Sequence, residues 1–117
     1  MIGSSRTVAV HAHATPVDMR KSFDTLALLV KSAGFNVISG DLFLFVGRDR
    51  TRAKVLYWDG TGLCVFAKRL ERGRFASPWR ETGTMRLTTT ELSLFLEGST
   101  LVGKVELSPP PMSLTSR

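Results

Sequence analysis

The stretch AKVLYWDGTGLCVFAKRLERGRF (residues 53–75) holds two strand-like runs around Asp59-Gly60, followed by a cluster of cations. Glycine accepts the positive φ that a tight turn demands. Asp-Gly between runs rich in β-branched and aromatic residues therefore reads as a hairpin. Setting Trp58 opposite Leu63 across a four-residue loop places Leu56 against Val65, Val55 against Phe66 and Lys54 against Ala67. Both faces of such a hairpin are largely apolar, so both need cover from helices, another sheet or a partner protein.

The flanking sequence supplies helices and further strands. DLFLFVG (residues 41–47) is a strand apolar on both faces, Val8, Val10 and Ala12 alternate as a short first strand, and GTMRLT (residues 83–88) suggests one more. Between the first two strands, Met19, Phe23, Leu26, Leu29 and Val30 fall on one face of a helix, with Asp18 as its expected N-cap and Gly34 as its stop. TTTELSLFLEG (residues 88–98) reads as a second helix with a Thr cap, an early Glu91, a stripe of Leu92, Phe95 and Leu96, and Gly98 as stop. The order β-α-β-β-β-β-α with short hairpin loops predicts a single α+β domain, a small antiparallel sheet of four to five strands with two helices, over residues 1–102. Three consecutive prolines among small polar residues make residues 103–117 a Pro-rich tail, expected to be flexible.

Charge is the most informative bulk property. Sixteen Lys and Arg against ten Asp and Glu give +6, and eleven of the cations are arginine, whose planar fork suits phosphate. The hairpin register brings the tip GRDRTR and the exit KRLERGR to the same end of the sheet, opposite Asp59-Gly60. Eight cations converge there: Arg48, Arg50, Arg52, Lys54, Lys68, Arg69, Arg72 and Arg74. Only Asp49, Asp59 and Glu71 oppose them between residues 48 and 74, so this stretch carries +5 of the +6. A basic cluster on loops and a strand edge is a phosphate-contacting arrangement, and these eight are the candidate nucleic-acid-binding residues. Charged tips also serve simply to solvate strands. Tyr57 and Trp58 are able to stack on bases, although aromatics in a half-buried strand commonly belong to the core.

No catalytic constellation is visible. Asp18, Asp41, Asp49 and Asp59 sit at cap or turn positions, where aspartate has structural reasons to be, and no acid pair has metal-binding spacing. His11 and His13 share one face of the first strand without a nearby carboxylate or cysteine partner in sequence, so no metal and no cofactor is expected. Cys64 has no histidine partner and reads as an inert, buried thiol. A single cysteine, an N-terminus without the apolar run of a secretory signal and no run approaching the ~20 apolar residues of a membrane span lead to the expectation of a cytoplasmic protein with no membrane partner.

VDMRKSFDTLALLV, LFLFVGRDRTRAKVLYWDGTGLCVFAKRLERGRF and LTTTELSLFLEG, in that order over residues 8–98, closely resemble the small accessory proteins (TnpB, or second-open-reading-frame proteins) of bacterial insertion-sequence-66 transposons. The resemblance rests on Asp18, Met19, Arg20 and Lys21; on Tyr57, Trp58, Asp59 and Gly60; and on Lys68, Arg69, Glu71, Arg72, Gly73, Arg74 and Phe75. It departs at Ala67, where the family pattern has an aromatic, at Thr51 in a usually more basic tip, and after Gly98. What it implies is a role in transposition beside a separate, larger DDE-type transposase. The combined expectation is a non-catalytic accessory protein that binds DNA, either transposon ends or non-specific duplex. Arg20, Lys21, Tyr57 and Trp58 are further interaction candidates. The alternative is an adaptor that docks on the transposase or self-associates into a homo-oligomer without touching DNA.

Overall fold

A computed structural model of the chain describes residues 7–81 and 83–98. The expected tail, residues 103–117, and the end of the expected domain lie outside the described residues. Strands β1 (Val10–Ala12), β2 (Leu42–Val46), β3 (Arg52–Trp58), β4 (Leu63–Arg69) and β5 (Met85–Leu87) form one sheet in the order β4-β3-β2-β1-β5. Helix α1 (Phe23–Ser32) lies between β1 and β2 in sequence, and α2 (Thr89–Leu96) comes after β5.

The α+β class and the element order are as the sequence predicts, but the sheet is mixed rather than antiparallel. β1 runs parallel to β2, with Val10 opposite Leu42 and Ala12 opposite Leu44, and antiparallel to β5. A parallel pair needs a crossover, and α1 with the 3-10 turn Val37–Ser39 provides it. The hairpin register is the one read from sequence: Trp58 faces Leu63, Leu56 faces Val65, Val55 faces Phe66 and Lys54 faces Ala67.

Alternation along β2 divides the core in two. Phe43 and Phe45 join Leu56, Val17 and the buried α1 residues Leu26 and Val30 on one face. Leu44 and Val46 join Val10, Ala12, Ala53, Val55, Met85 and Leu87 on the other, under Phe75 and the α2 residues Leu92 and Phe95. Each face of the sheet thus has its own helix, which answers the need for cover on both sides. Among the described strands, cover is thinnest at β4, the edge strand, where Phe66 remains 44% exposed.

Local signals place the helices. Thr88 and Glu91 form a reciprocal capping box at α2, with the Thr88 hydroxyl accepting from the Glu91 N–H at 3.0 Å and the Glu91 carboxylate accepting from the Thr88 N–H at 2.8 Å. The N-cap of α1 is Ser22, not Asp18: the Ser22 N–H donates to the Thr25 hydroxyl at 2.9 Å. Asp18 instead turns its carboxylate onto the Arg20 N–H and guanidinium, which ends any helix before it starts.

His11 and His13 belong to packing. His11 stacks on Phe35 at 4.2 Å and contacts the Asp41 carboxylate at 3.0 Å, while His13 tilts against Phe45. Among the described residues no three His, Cys, Asp or Glu side chains come together as a metal site.

Burial pushes the His13 imidazole below its ordinary 6.5, because the charged form loses water. A base with a lowered folded value takes up a proton more readily when unfolded. Its contribution to stability is therefore full above pH 6.5 and is lost as pH falls toward the folded value. Urea midpoints should fall between about pH 7.5 and 5.5, and His13→Gln should flatten that slope.

Candidate nucleic-acid interface

Two tips of the hairpins share one turn chemistry. In Asp59-Gly60-Thr61 the Asp59 carboxylate accepts from the Thr61 N–H at 2.9 Å and the Thr61 hydroxyl at 3.1 Å, with Gly60 at φ +107°. In Asp49-Arg50-Thr51 the Asp49 carboxylate accepts from the Thr51 N–H at 3.1 Å and hydroxyl at 2.9 Å. Arg50 takes the left-handed position there, φ +62°, without being glycine. That conformation costs on the order of 1 kcal/mol and persists only where surroundings enforce it.

The surroundings are the second basic loop. The Phe75 N–H donates to the Arg50 carbonyl at 2.6 Å and the Leu70 N–H to the Thr51 carbonyl at 2.7 Å. The Arg50 guanidinium returns a bond to the Phe75 carbonyl at 3.3 Å. Phe75 is fully buried and stacks on Phe95 of α2, ring centroids 5.1 Å apart and nearly parallel. The RLERGR loop is therefore bound at both ends to the RDRT tip, with one anchor in the core. The convergence of the cations is a property of the main chain.

The eight predicted cations divide into two groups. Arg48, Arg52, Arg69, Arg72 and Arg74 are exposed. Arg52 and Arg69 stand directly opposite each other on β3 and β4, a like-charge pair that opposes pairing unless an anion lies between. The carboxylates on hand are exposed, Asp49 being held by Thr51 and Glu71 meeting Arg69 at 3.4 Å. Lys54 and Lys68 are partly buried tethers. The Lys54 ammonium donates to the Lys21 carbonyl at 2.7 Å, and the Lys68 ammonium to the Leu96 carbonyl at 2.6 Å, capping the C-terminal end of α2. Arg50 sits between the groups, half-buried against Phe75.

The Asp18-to-Lys21 motif comes to the same end of the sheet. Met19 lies over Gly47 so closely that a Cβ there would stand 2.8 Å from the Met19 Cγ, which gives glycine its reason at that position. Beside Met19, a hollow of about 500 Å³ is lined by Asp18, Arg20, Arg48, Asp49 and Arg52, and another of about 280 Å³ by Arg52, Lys54, Ala67, Lys68 and Arg69. Ala67, whose side chain is a single methyl group, lines the second one. Arg20 grips Asp18 through its fork, 2.7 Å at the shortest, and holds the Asp18 carboxyl well below the usual carboxylate range. Residue pattern placed Met19 on the apolar face of α1, which in fact begins at Phe23, and did not single out Gly47 or the two main-chain bonds. The resemblance named Met19 and Phe75 without giving either a task.

Tyr57 and Trp58 lie at the far end of β3, some 20 Å from Arg52 at ~3.3 Å per residue, and do not join this surface. Both are half-buried, as is Cys64, which is on the edge strand rather than deep in the core. Burial and the Asp59 carboxylate push the Cys64 thiol up, which disfavours the thiolate.

A family model described as IS66 Orf2 like protein matches residues 8–105. The chain belongs to the IS66 Orf2-like family. Two relatives from Sinorhizobium fredii (strain NBRC 101917 / NGR234) are similar over 99 residues, 84% of this chain. Uncharacterized protein y4hO is 40% identical with 86% of its length covered, and uncharacterized protein y4jC 35% identical with 85% covered. No solved structure matches the chain. Membership gives this IS66 Orf2-like protein an accessory role in transposition. The match also runs past Gly98, so the family pattern continues beyond the end of the resemblance read from the motifs. Among the described residues no helix is long and apolar enough to cross a membrane.

Phe75→Ala should cost about 3–5 kcal/mol, as removal of a fully buried aromatic does. Arg72→Ala in the same loop should stay within about 0.5 kcal/mol. Thermal unfolding of the two variants checks the contrast.

Proposed function

We propose that this IS66 Orf2-like protein is a non-catalytic accessory factor that holds DNA by its backbone while the larger transposase of the same element, in the cytoplasm, performs the chemistry. The observation that carries the reading is the main-chain stapling of the two basic loops, which keeps Arg48, Arg52, Arg69, Arg72 and Arg74 exposed at one end of the sheet. Five guanidiniums held against mutual repulsion gain most from a polyanion whose charges repeat along a line. Lys54, Lys68 and Arg50 support that surface from behind by tying Lys21, α2 and Phe75 to it. Contacts of this type position a duplex and carry no sequence information by themselves.

A second reading, an adaptor docking on the transposase or on a second copy of this chain, is favoured by one observation: the exposed Phe66 on edge strand β4. A stable complex of that kind buries at least ~1,000 Å².

Fluorescence anisotropy on a transposon-end duplex and a scrambled duplex, across a salt series, tests the first reading. Log affinity should fall against log salt by about 0.9 for each phosphate contacted. The triple variant Arg69→Ala/Arg72→Ala/Arg74→Ala should lose both affinity and slope, whereas Lys31→Ala, at the other end of α1, should change neither. Absence of binding to both duplexes would overturn the DNA reading.

A further inference from the structure

The β3–β4 ladder sets two arginines on its closest kind of rung. At one end the Leu70 N–H donates to the Thr51 carbonyl at 2.7 Å, and at the other the Asp59 N–H donates to the Gly62 carbonyl at 3.1 Å. Bonded and unbonded pairs alternate along an antiparallel ladder. Arg52 opposite Arg69, and Lys54 opposite Ala67, are therefore non-hydrogen-bonded pairs. In such pairs the Cα atoms stand only ~4.5 Å apart and the side chains come nearest to each other. All four residues share the α1 side of the sheet, because Leu56, further along the same face of β3, packs under α1.

These two rungs carry the hollow of about 280 Å³, with Met19 and Ala67 as its apolar lining. Its volume far exceeds the ~30 Å³ that one water takes in the liquid. Lys54 gives one bond to the Lys21 carbonyl at 2.7 Å, and an ammonium has further donors to offer. Among the described residues that line this hollow there is no carboxylate, whereas the neighbouring hollow of about 500 Å³ mixes its arginines with Asp18 and Asp49. Glu71 meets Arg69 at 3.4 Å with both side chains exposed, an ion pair of little strength in water that an arriving anion displaces.

We propose that this hollow is a seat for one phosphate group, held between the Arg52 and Arg69 guanidiniums with the Lys54 ammonium beside them. A guanidinium fork matches two phosphate oxygens at once, and such charge-assisted bonds are the strong ones. The anion converts a repulsive rung into a bridge between β3 and β4. The identity of the ligand rests on the DNA reading: under it the group is one backbone phosphodiester, and the seat fixes where the strand crosses the basic surface.

Thermal unfolding of the full chain in inorganic phosphate, with ionic strength held constant by chloride, reads the seat without DNA. Phosphate also favours folded states generally, through its exclusion from protein surfaces, so the signal is a difference between variants. The midpoint should rise equally in the wild type and in Arg86→Gln, an exposed arginine of β5 at the opposite edge of the sheet. It should rise distinctly less in Arg52→Gln and in Arg69→Gln, which lose the bound ligand's contribution. Equal rises in every variant would overturn the proposal. On a duplex, Arg52→Gln/Arg69→Gln should flatten the slope of log affinity against log salt by about 0.9, the share of one phosphate. Duplex binding whose slope that double variant leaves unchanged would overturn the seat and leave the DNA reading standing. A phosphate response that needs both arginines, without duplex binding, would uphold the seat for a soluble phosphate compound and overturn the DNA reading.

Discussion

Strand β2 is apolar on both sides, and that single fact organises the molecule. Phe43 and Phe45 cannot share a face with Leu44 and Val46, so the strand must lie inside, between two layers. α1 covers one side and α2 with Phe75 covers the other. A strand so placed also needs a neighbour on each edge. β3 supplies one through a short turn, and β1 supplies the other by the only route open to a chain that has just made α1, a parallel return. The mixed sheet is thus a consequence of covering β2 twice.

The interface is built against electrostatics. Arginines on adjacent strands and on two facing loops repel, and a surface of that kind would spread if its loops were free. Two main-chain bonds, from Leu70 and Phe75 to the tip, prevent it, and the Phe75 ring commits the loop to the core. Lysine and arginine divide the work by their chemistry. The compact ammonium groups of Lys54 and Lys68 each reach a single carbonyl within the fold, while the guanidinium forks of five arginines remain in water. Charge counted from composition is therefore larger than charge available to a ligand.

Much of this is legible in the residues alone. The Asp59-Gly60 turn sets the β3–β4 register, alternation identifies β1 and β5, and the Thr88–Glu91 spacing announces α2. Asp18 misleads because a carboxylate two residues before a guanidinium satisfies itself locally, leaving Ser22 to open α1. The parallel pairing of β1 is not written in the strand's own residues; it follows from the helix that separates β1 from β2. The convergence of cations is legible as a place, but the split into tethers and exposed forks depends on which carbonyls lie within reach, and α2 and residue 21 are distant in sequence from the lysines they engage. The shared Asp-x-Thr turns, by contrast, stand in the sequence as a repeated triplet.

The sheet order has a consequence in time. β2, β3 and β4 are successive in sequence, each pairing with the one before, so this meander can zip from short-range contacts as the chain grows. β1 is made before all of them, yet its neighbours are β2, about thirty residues later, and β5, where Val10 waits for Leu87. On the ribosome the first strand synthesised is the last to be enclosed, and a chain released early would carry a formed arginine-bearing hairpin with an open seam beside β2.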